Sequence, residues 1–160
     1  MKALFQKLLI GLAIMMFATP ALGLGAENNM EMELLTEKVK ADKKLLVGLN
    51  MPLTNEEASN FWPLYDAYQK ELQTVNQDIG RLIVEFAEAY AKGPIPNETA
   101  KRILEDVFTL EEKEVQLKRT YAEKMGKVLP AWKVTRYIQI ENKIRAALKF
   151  ELARHIPLTS

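Results

Sequence analysis

The stretch that decides the fold runs from Phe61 to Ala89 and reads FWPLYDAYQKELQTVNQDIGRLIVEFAEA. Its apolar positions alternate at spacings of four and three residues along its whole length. They are Phe61, Tyr65, Tyr68, Leu72, Val75, Ile79, Leu82, Phe86 and Ala89. This repeat is the pattern by which one helix packs along another in a coiled coil. It therefore predicts a long helix whose apolar seam is buried by partner helices.

The start of this helix has a clear signal. Thr54 followed three residues later by Glu57 is a capping box, in which each residue satisfies a backbone amide of the other. The pattern predicts a helix over Asn55–Ala91, with a bend at Pro63 because the seam stays in phase on both sides. A shorter amphipathic helix is expected before it, over Met30–Leu46, ending near Gly48.

Two further helices follow a strong turn signal. Lys92–Pro96 contains one glycine and two prolines, which end the long helix, and Asn97 is the expected N-cap of the third helix. Gly126 marks the end of the third helix, and the fourth is expected from about Ala131 to His155. The predicted fold class is all-α, with about four helices in elongated antiparallel hairpins and coiled-coil-like packing.

The N-terminus resembles an export signal. Lys2 and Lys7 precede an apolar run, Leu8–Phe17, and small residues lead to Gly23. We expect a cleavable signal peptide over residues 1–23, a single all-helical domain over residues 24–160, and a periplasmic location. An uncleaved membrane anchor is the alternative, but a run this short falls below the roughly 20 residues that span a bilayer.

Composition weighs against enzymatic chemistry. The chain has no cysteine and one histidine, which removes disulfides and thiolate metal sites. Glu151 and His155 share a helical face, yet a metal site needs more ligands, and His155 suits the helix C-terminus. Since phosphate-loop, dinucleotide and nucleophile-elbow patterns are also missing, we expect a non-enzyme without a cofactor.

Charge is nearly balanced overall but uneven along the chain. Of the 22 basic side chains, two precede the predicted cleavage site, which leaves 20 against 21 acidic ones, so nucleic acid is not an expected partner. From Lys127 to His155, however, seven basic residues face only two acidic ones. This block either neutralises the acidic N-terminal half of the chain or forms a basic surface.

Aromatic residues cluster near the starts of the second and fourth helices. Trp62 lies off the apolar seam and Trp132 adjoins Lys133, so the tryptophans either close the ends of the bundle or face solvent beside basic residues. The candidate residues for binding partner polypeptides are Trp62, Trp132, Lys133, Arg136, Tyr137, Lys143 and Arg145.

The stretch Leu53–Glu57 also carries a family resemblance. An exported, cysteine-free helical chain whose long helix opens with Leu-Thr-Asn-Glu-Glu resembles the Spy/CpxP group of periplasmic proteins, named for Leu-Thr-x-x-Gln motifs. Here Glu57 replaces the motif glutamine, and the second copy, at Leu129–Lys133, matches only in its leucine. The resemblance covers Met30–Ile156 and implies a homodimeric cradle with a basic concave face.

Two functions follow as expectations. The resemblance implies an ATP-independent periplasmic chaperone or envelope-stress modulator that binds non-native or envelope polypeptides, with the basic residues of the fourth helix and both tryptophans on the client side. Metal binding is not implied, because the histidine-rich character of the zinc-binding branch is missing. The alternative is a structural or adaptor protein of the cell envelope that oligomerises or docks on one partner, without general chaperone activity.

Overall fold

The computed structural model describes residues 26–159, with side chains from residue 37 onward, and this part of the chain contains four helices. They are α1 (Ala26–Asn50), α2 (Asn55–Ala91), α3 (Asn97–Met125) and α4 (Ala131–His155). The all-α fold class is therefore confirmed. The predicted signal peptide, residues 1–23, lies outside the described residues. The chain divides into two compact units, one of residues 53–134 with 155–159 and one of residues 26–52 with 135–154.

The bounds of α2 agree with the capping and periodicity signals. The Thr54 hydroxyl accepts a hydrogen bond from the Glu57 amide, and the Glu57 carboxylate accepts one from the Thr54 amide, so the predicted capping box is present. The helix then runs unbroken through Pro63 to Ala91. Proline removes one intrahelical hydrogen bond, and the packing of the seam offsets this local loss.

The turn between α2 and α3 follows the prediction except at its cap. Gly93 has a backbone φ of 118°, which residues other than glycine rarely adopt. The N-cap of α3 is Pro96 rather than the predicted Asn97, which is already helical. Pro96 holds the extended backbone that an N-cap needs, with φ of −58° and ψ of 141°, and its carbonyl accepts the first helical bond, from Ala100.

Helices α2 and α3 form an antiparallel hairpin. From the turn outward, side-chain contacts join Glu85 to Arg102, Asp78 to Lys113 at 3.0 Å, and Glu71 to Tyr121 at 2.6 Å. Residue numbers fall along α2 as they rise along α3, which is the signature of antiparallel neighbours. These polar contacts run along one edge of the hairpin and fix its register.

The apolar seam of α2 is buried in its first half. Its buried members are Phe61, Tyr65, Tyr68, Leu72 and Val75. Nearer the turn, Ile79, Leu82, Phe86 and Ala89 are only half-buried. An apolar stripe on a helix is about 100° wide or more, so a single neighbouring helix covers only part of it. The end of the hairpin near the turn therefore keeps apolar surface in contact with solvent.

The second unit packs α1 against α4. Val47 of α1 and Leu148 of α4 are both fully buried, and the Lys43 ammonium lies 2.6 Å from the Glu141 carboxylate. Helix α1 continues past the predicted end near Gly48 to Asn50, whose side-chain amide donates to the Leu46 carbonyl at 2.8 Å. Among the described residues, no helix combines the length and the apolar character needed to cross a bilayer.

Candidate functional site

The first turn of α4 places the second tryptophan in solvent. Pro130 precedes the helix, and its carbonyl accepts hydrogen bonds from the amides of Lys133 and Val134, which starts the helix. Trp132 lies in this turn with 55% of its surface exposed. The Lys133 ammonium lies 5.3 Å from the centre of the Trp132 ring, within the range of a cation–π contact. Trp132 is thus an exposed aromatic side chain at the start of α4, with a cation at its ring.

Lys133 itself is buried, and it binds the Glu57 carboxylate of the capping box that starts α2. Its ammonium lies 2.5 Å from the Glu57 carboxylate, and only 7% of the residue is exposed. The same carboxylate oxygen accepts the Thr54 amide, so one acidic side chain joins the start of α2 to the start of α4. The hydrogen bond from Lys133, followed by the one from Thr54, lowers the pKa of Glu57 below its ordinary value.

Trp62 is held in an aromatic cluster within α2. Its ring centre lies 5.0 Å from that of Phe61 and 5.3 Å from that of Tyr65, both at edge-on angles. Edge-to-face contacts of this kind stabilise aromatic packing. Trp62 is half-buried, so it presents much less surface to a partner than Trp132 does.

Further along α4, two predicted site residues are buried. Tyr137 has no exposed surface, and its hydroxyl lies 3.4 Å from the Glu141 carboxylate. Arg145 is 4% exposed. Neither side chain therefore reaches an accessible surface.

The opposite side of α4 carries the accessible cations. Arg136, Lys143 and Phe150, spaced seven residues apart, all face solvent, and Phe150 is 64% exposed. Seven residues are close to two helical turns, so the three side chains lie in line, and we call them the α4 row. The Arg136 guanidinium also donates to the Asn50 carbonyl at 2.6 Å, which ties the end of α1 to α4.

The predicted candidate residues therefore separate into three groups. Trp132, Arg136 and Lys143 are exposed, and Trp62 is half-buried. Lys133, Tyr137 and Arg145 are buried, so these three candidates are not accessible to a partner polypeptide. The sequence did not show this, for one physical reason. A count of basic residues along a helix does not say which of them face the interior, where a long cationic side chain can meet a buried carboxylate.

Sequence reasoning missed a second exposed surface, on α3. Leu104, Phe108 and Val115 are 54%, 50% and 55% exposed, and we call them the α3 row. Their spacings of four and seven residues place them on one face of the helix. The buried side of α3 is a different face, which carries Ile103 and Tyr121. The spacing of the α3 row could have been found in the sequence. It was overlooked because α3 has a second and more regular set of apolar residues, on the face that packs against α2.

Polar contacts within the hairpin are structural in character. The Tyr121 hydroxyl donates to the Glu71 carboxylate, and burial first, then this bond, raises the pKa of Tyr121 to about 12. The pKa of Arg102 is also raised, chiefly by its hydrogen bond to Glu85. Within residues 37–159, carboxylates and histidine form no group of three or more suited to a metal ion.

Comparison of the chain with protein-family models, with curated proteins and with solved structures found no match.

Proposed function

We propose that this protein is an ATP-independent chaperone or envelope-stress modulator of the periplasm, which binds unfolded or partner polypeptides on the exposed side of α4. The observations that carry this proposal are the exposed Trp132 with the Lys133 ammonium at its ring, in one unit, and the exposed cations Arg136 and Lys143, in the other. Exposed aromatic and cationic side chains suit a polypeptide that carries apolar and acidic side chains.

The expected affinity of each contact is small. A tryptophan buries about 150–250 Å² when fully covered, so covering the exposed half of Trp132 contributes about 2 to 3 kcal/mol. A micromolar complex needs about 8 kcal/mol, after the costs of association have been met. Binding therefore requires several contacts at once along a client, which favours extended or unfolded chains and reversible capture.

The two exposed cations, Arg136 and Lys143, attract an acidic client and so raise the rate at which it meets the protein. Charges on the rim of an interface raise the rate of encounter more than the final affinity, and salt screens them over about 8 to 10 Å. We expect salt to slow client capture, while the contact of Trp132 with apolar side chains persists.

The test is suppression of aggregation, measured by light scattering as a chemically denatured polypeptide is diluted into buffer with the purified protein. The wild type is expected to suppress scattering at stoichiometric amounts. Trp132→Ser combined with Lys143→Glu is expected to abolish most of the effect, while Lys70→Glu, which reverses an exposed lysine of α2, leaves it intact. Scattering that the wild-type protein leaves unchanged would reject the proposal.

An adaptor function is the second candidate, and the α3 row favours it. Three large apolar side chains in one line on a helix provide a surface for one complementary helix, as in a coiled coil. Affinity capture that recovers one dominant envelope protein, together with no suppression of aggregation, would favour this function over the first.

A further inference from the structure

The α3 row is bordered by regularly spaced acids. Glu105 follows Leu104 directly, and Glu112 lies four residues after Phe108 and three before Val115. Both glutamates are exposed and lie seven residues apart, about 10.5 Å along the helix. In the heptad that the row defines, they occupy the flanking position that sets the choice of partner in a coiled coil.

The α4 row has the opposite charge at the same spacing. Arg136 and Lys143 are exposed and lie seven residues apart, again about 10.5 Å along the helix. Phe150 extends the row by a further seven residues. The acids that border the α3 row and the cations of the α4 row are therefore opposite in sign and equal in spacing, and each row has a large exposed apolar component.

Pairing of α3 with a second α3 is disfavoured by the same charges. In an antiparallel pair of α3 helices, equivalent flanking positions face each other, so Glu105 would meet Glu112 of the other copy. Like charges at such positions destabilise a helix pair. A partner for the α3 row should instead carry cations one heptad apart, which is the arrangement on α4.

We propose that the α3 row of one molecule docks on the α4 row of a second copy of this chain. Glu105 and Glu112 pair with Arg136 and Lys143 of the other molecule, and Phe108 packs against the aliphatic stems and charged ends of these two cations. Leu104, Val115 and Phe150 leave solvent at the same contact. Because each copy carries one of each row, the contact joins two different surfaces rather than one surface to itself.

This inference does not depend on the proposed function, since self-association is measured without a client. If both are correct, a client and a second copy compete for Lys143 and Arg136, and self-association keeps the client surface covered until a client arrives.

Sedimentation velocity on the purified protein at low and high salt tests the inference. The wild type is expected to self-associate, more weakly as salt rises. Glu105→Lys with Glu112→Lys, and separately Arg136→Glu with Lys143→Glu, should each raise the dissociation constant tenfold or more. Mixing these two variants should restore association to near the wild-type level, because each then supplies the charge that the other has lost.

Two controls keep the test sharp. Glu88→Lys with Glu123→Lys makes the same change of net charge as Glu105→Lys with Glu112→Lys, at exposed sites outside both rows, and should associate as the wild type does. Since Arg136 also bonds the end of α1, Lys143→Glu alone is measured beside the double variant, with far-ultraviolet dichroism as a check on folding.

Several results would overturn the inference. They are a monomeric wild type across the concentration range, association that the reversals leave unchanged, and reversed variants that fail to restore each other on mixing. Binding of the monomeric wild type to phosphatidylglycerol vesicles, lost in Arg136→Glu with Lys143→Glu, would assign the α4 row to an anionic membrane instead.

Discussion

The buried ion pair between Lys43 and Glu141 gives the sharpest prediction about stability. The ammonium and carboxylate lie 2.6 Å apart, and their side chains are 7% and 0% exposed. Lys43→Met keeps the length and helix propensity of the side chain but leaves the Glu141 carboxylate buried without this cation. Loss of one partner from a buried pair costs about 3–5 kcal/mol, a large part of the 5–15 kcal/mol by which proteins of this kind are stable.

The assay is urea denaturation followed by far-ultraviolet dichroism. The matched control is Lys40→Met, the same substitution on the same helix, because Lys40 pairs with Glu37 at the surface with 45% of its side chain exposed. A surface pair contributes about 0.2–1 kcal/mol, so the control is expected to change the free energy of unfolding by less than about 1 kcal/mol.

A double substitution isolates the cause. Lys43→Met combined with Glu141→Leu removes both charges from the interior, and such replacements are often neutral or stabilising. We expect the double variant to recover most of the stability that Lys43→Met loses. If Lys43→Met costs no more than Lys40→Met, the description of this pair as a buried contact that holds α1 to α4 is wrong.

Four further outcomes follow from the hairpin. Leu72→Ala removes a side chain that is 2% exposed and should lower the free energy of unfolding by about 2–5 kcal/mol in denaturant titrations. Thr54→Ala removes the capping hydroxyl and should cost about 1 kcal/mol in the same assay, whereas an unchanged midpoint would contradict the capping box. Gly93→Ala forces an alanine into a backbone conformation with φ of 118° and should lower the melting temperature, although no atom lies within 4 Å of the added Cβ. Tyr121 has a folded-state pKa raised to about 12, above its ordinary value of 10.0, so its neutral form stabilises the fold below pH 10 and this contribution is lost as the pH rises toward 12. Tyr121→Phe should flatten that part of the curve of stability against pH.

The long elements of the fold could be predicted because each depends on local chemistry. The capping box at Thr54 and the glycine–proline turn after Ala91 determine the ends of α2, and the heptad spacing identifies the side it buries. Each signal lies within a few residues of the feature that it determines, so one sequence suffices. The cap of α3 was mistaken because an asparagine is a common cap, while Pro96 already supplied the extended backbone.

The candidate site was only partly predictable, because it depends on which side of α4 faces inward. Lys133 and Arg145 look like surface cations in a sequence, yet both are buried. The burial of Lys133 depends on Glu57, an acidic partner distant in the chain. The α3 row was missed for a related reason. In the sequence, Phe108 cannot be told from a core residue, because both recur at helical spacing. Only the packing shows that no helix of its own unit covers it fully.

The central claim is that polypeptides bind the exposed side of α4, and the two tryptophans of the chain allow a direct test. In ¹⁵N-labelled protein, Trp62 and Trp132 each give one indole signal, which can be followed during titration with a reduced and alkylated, permanently unfolded polypeptide. The account predicts that the Trp132 signal shifts or broadens with increasing polypeptide, while the Trp62 signal, held between Phe61 and Tyr65, changes little. A titration in which Trp132 is unaffected, or in which Trp62 alone responds, would contradict it.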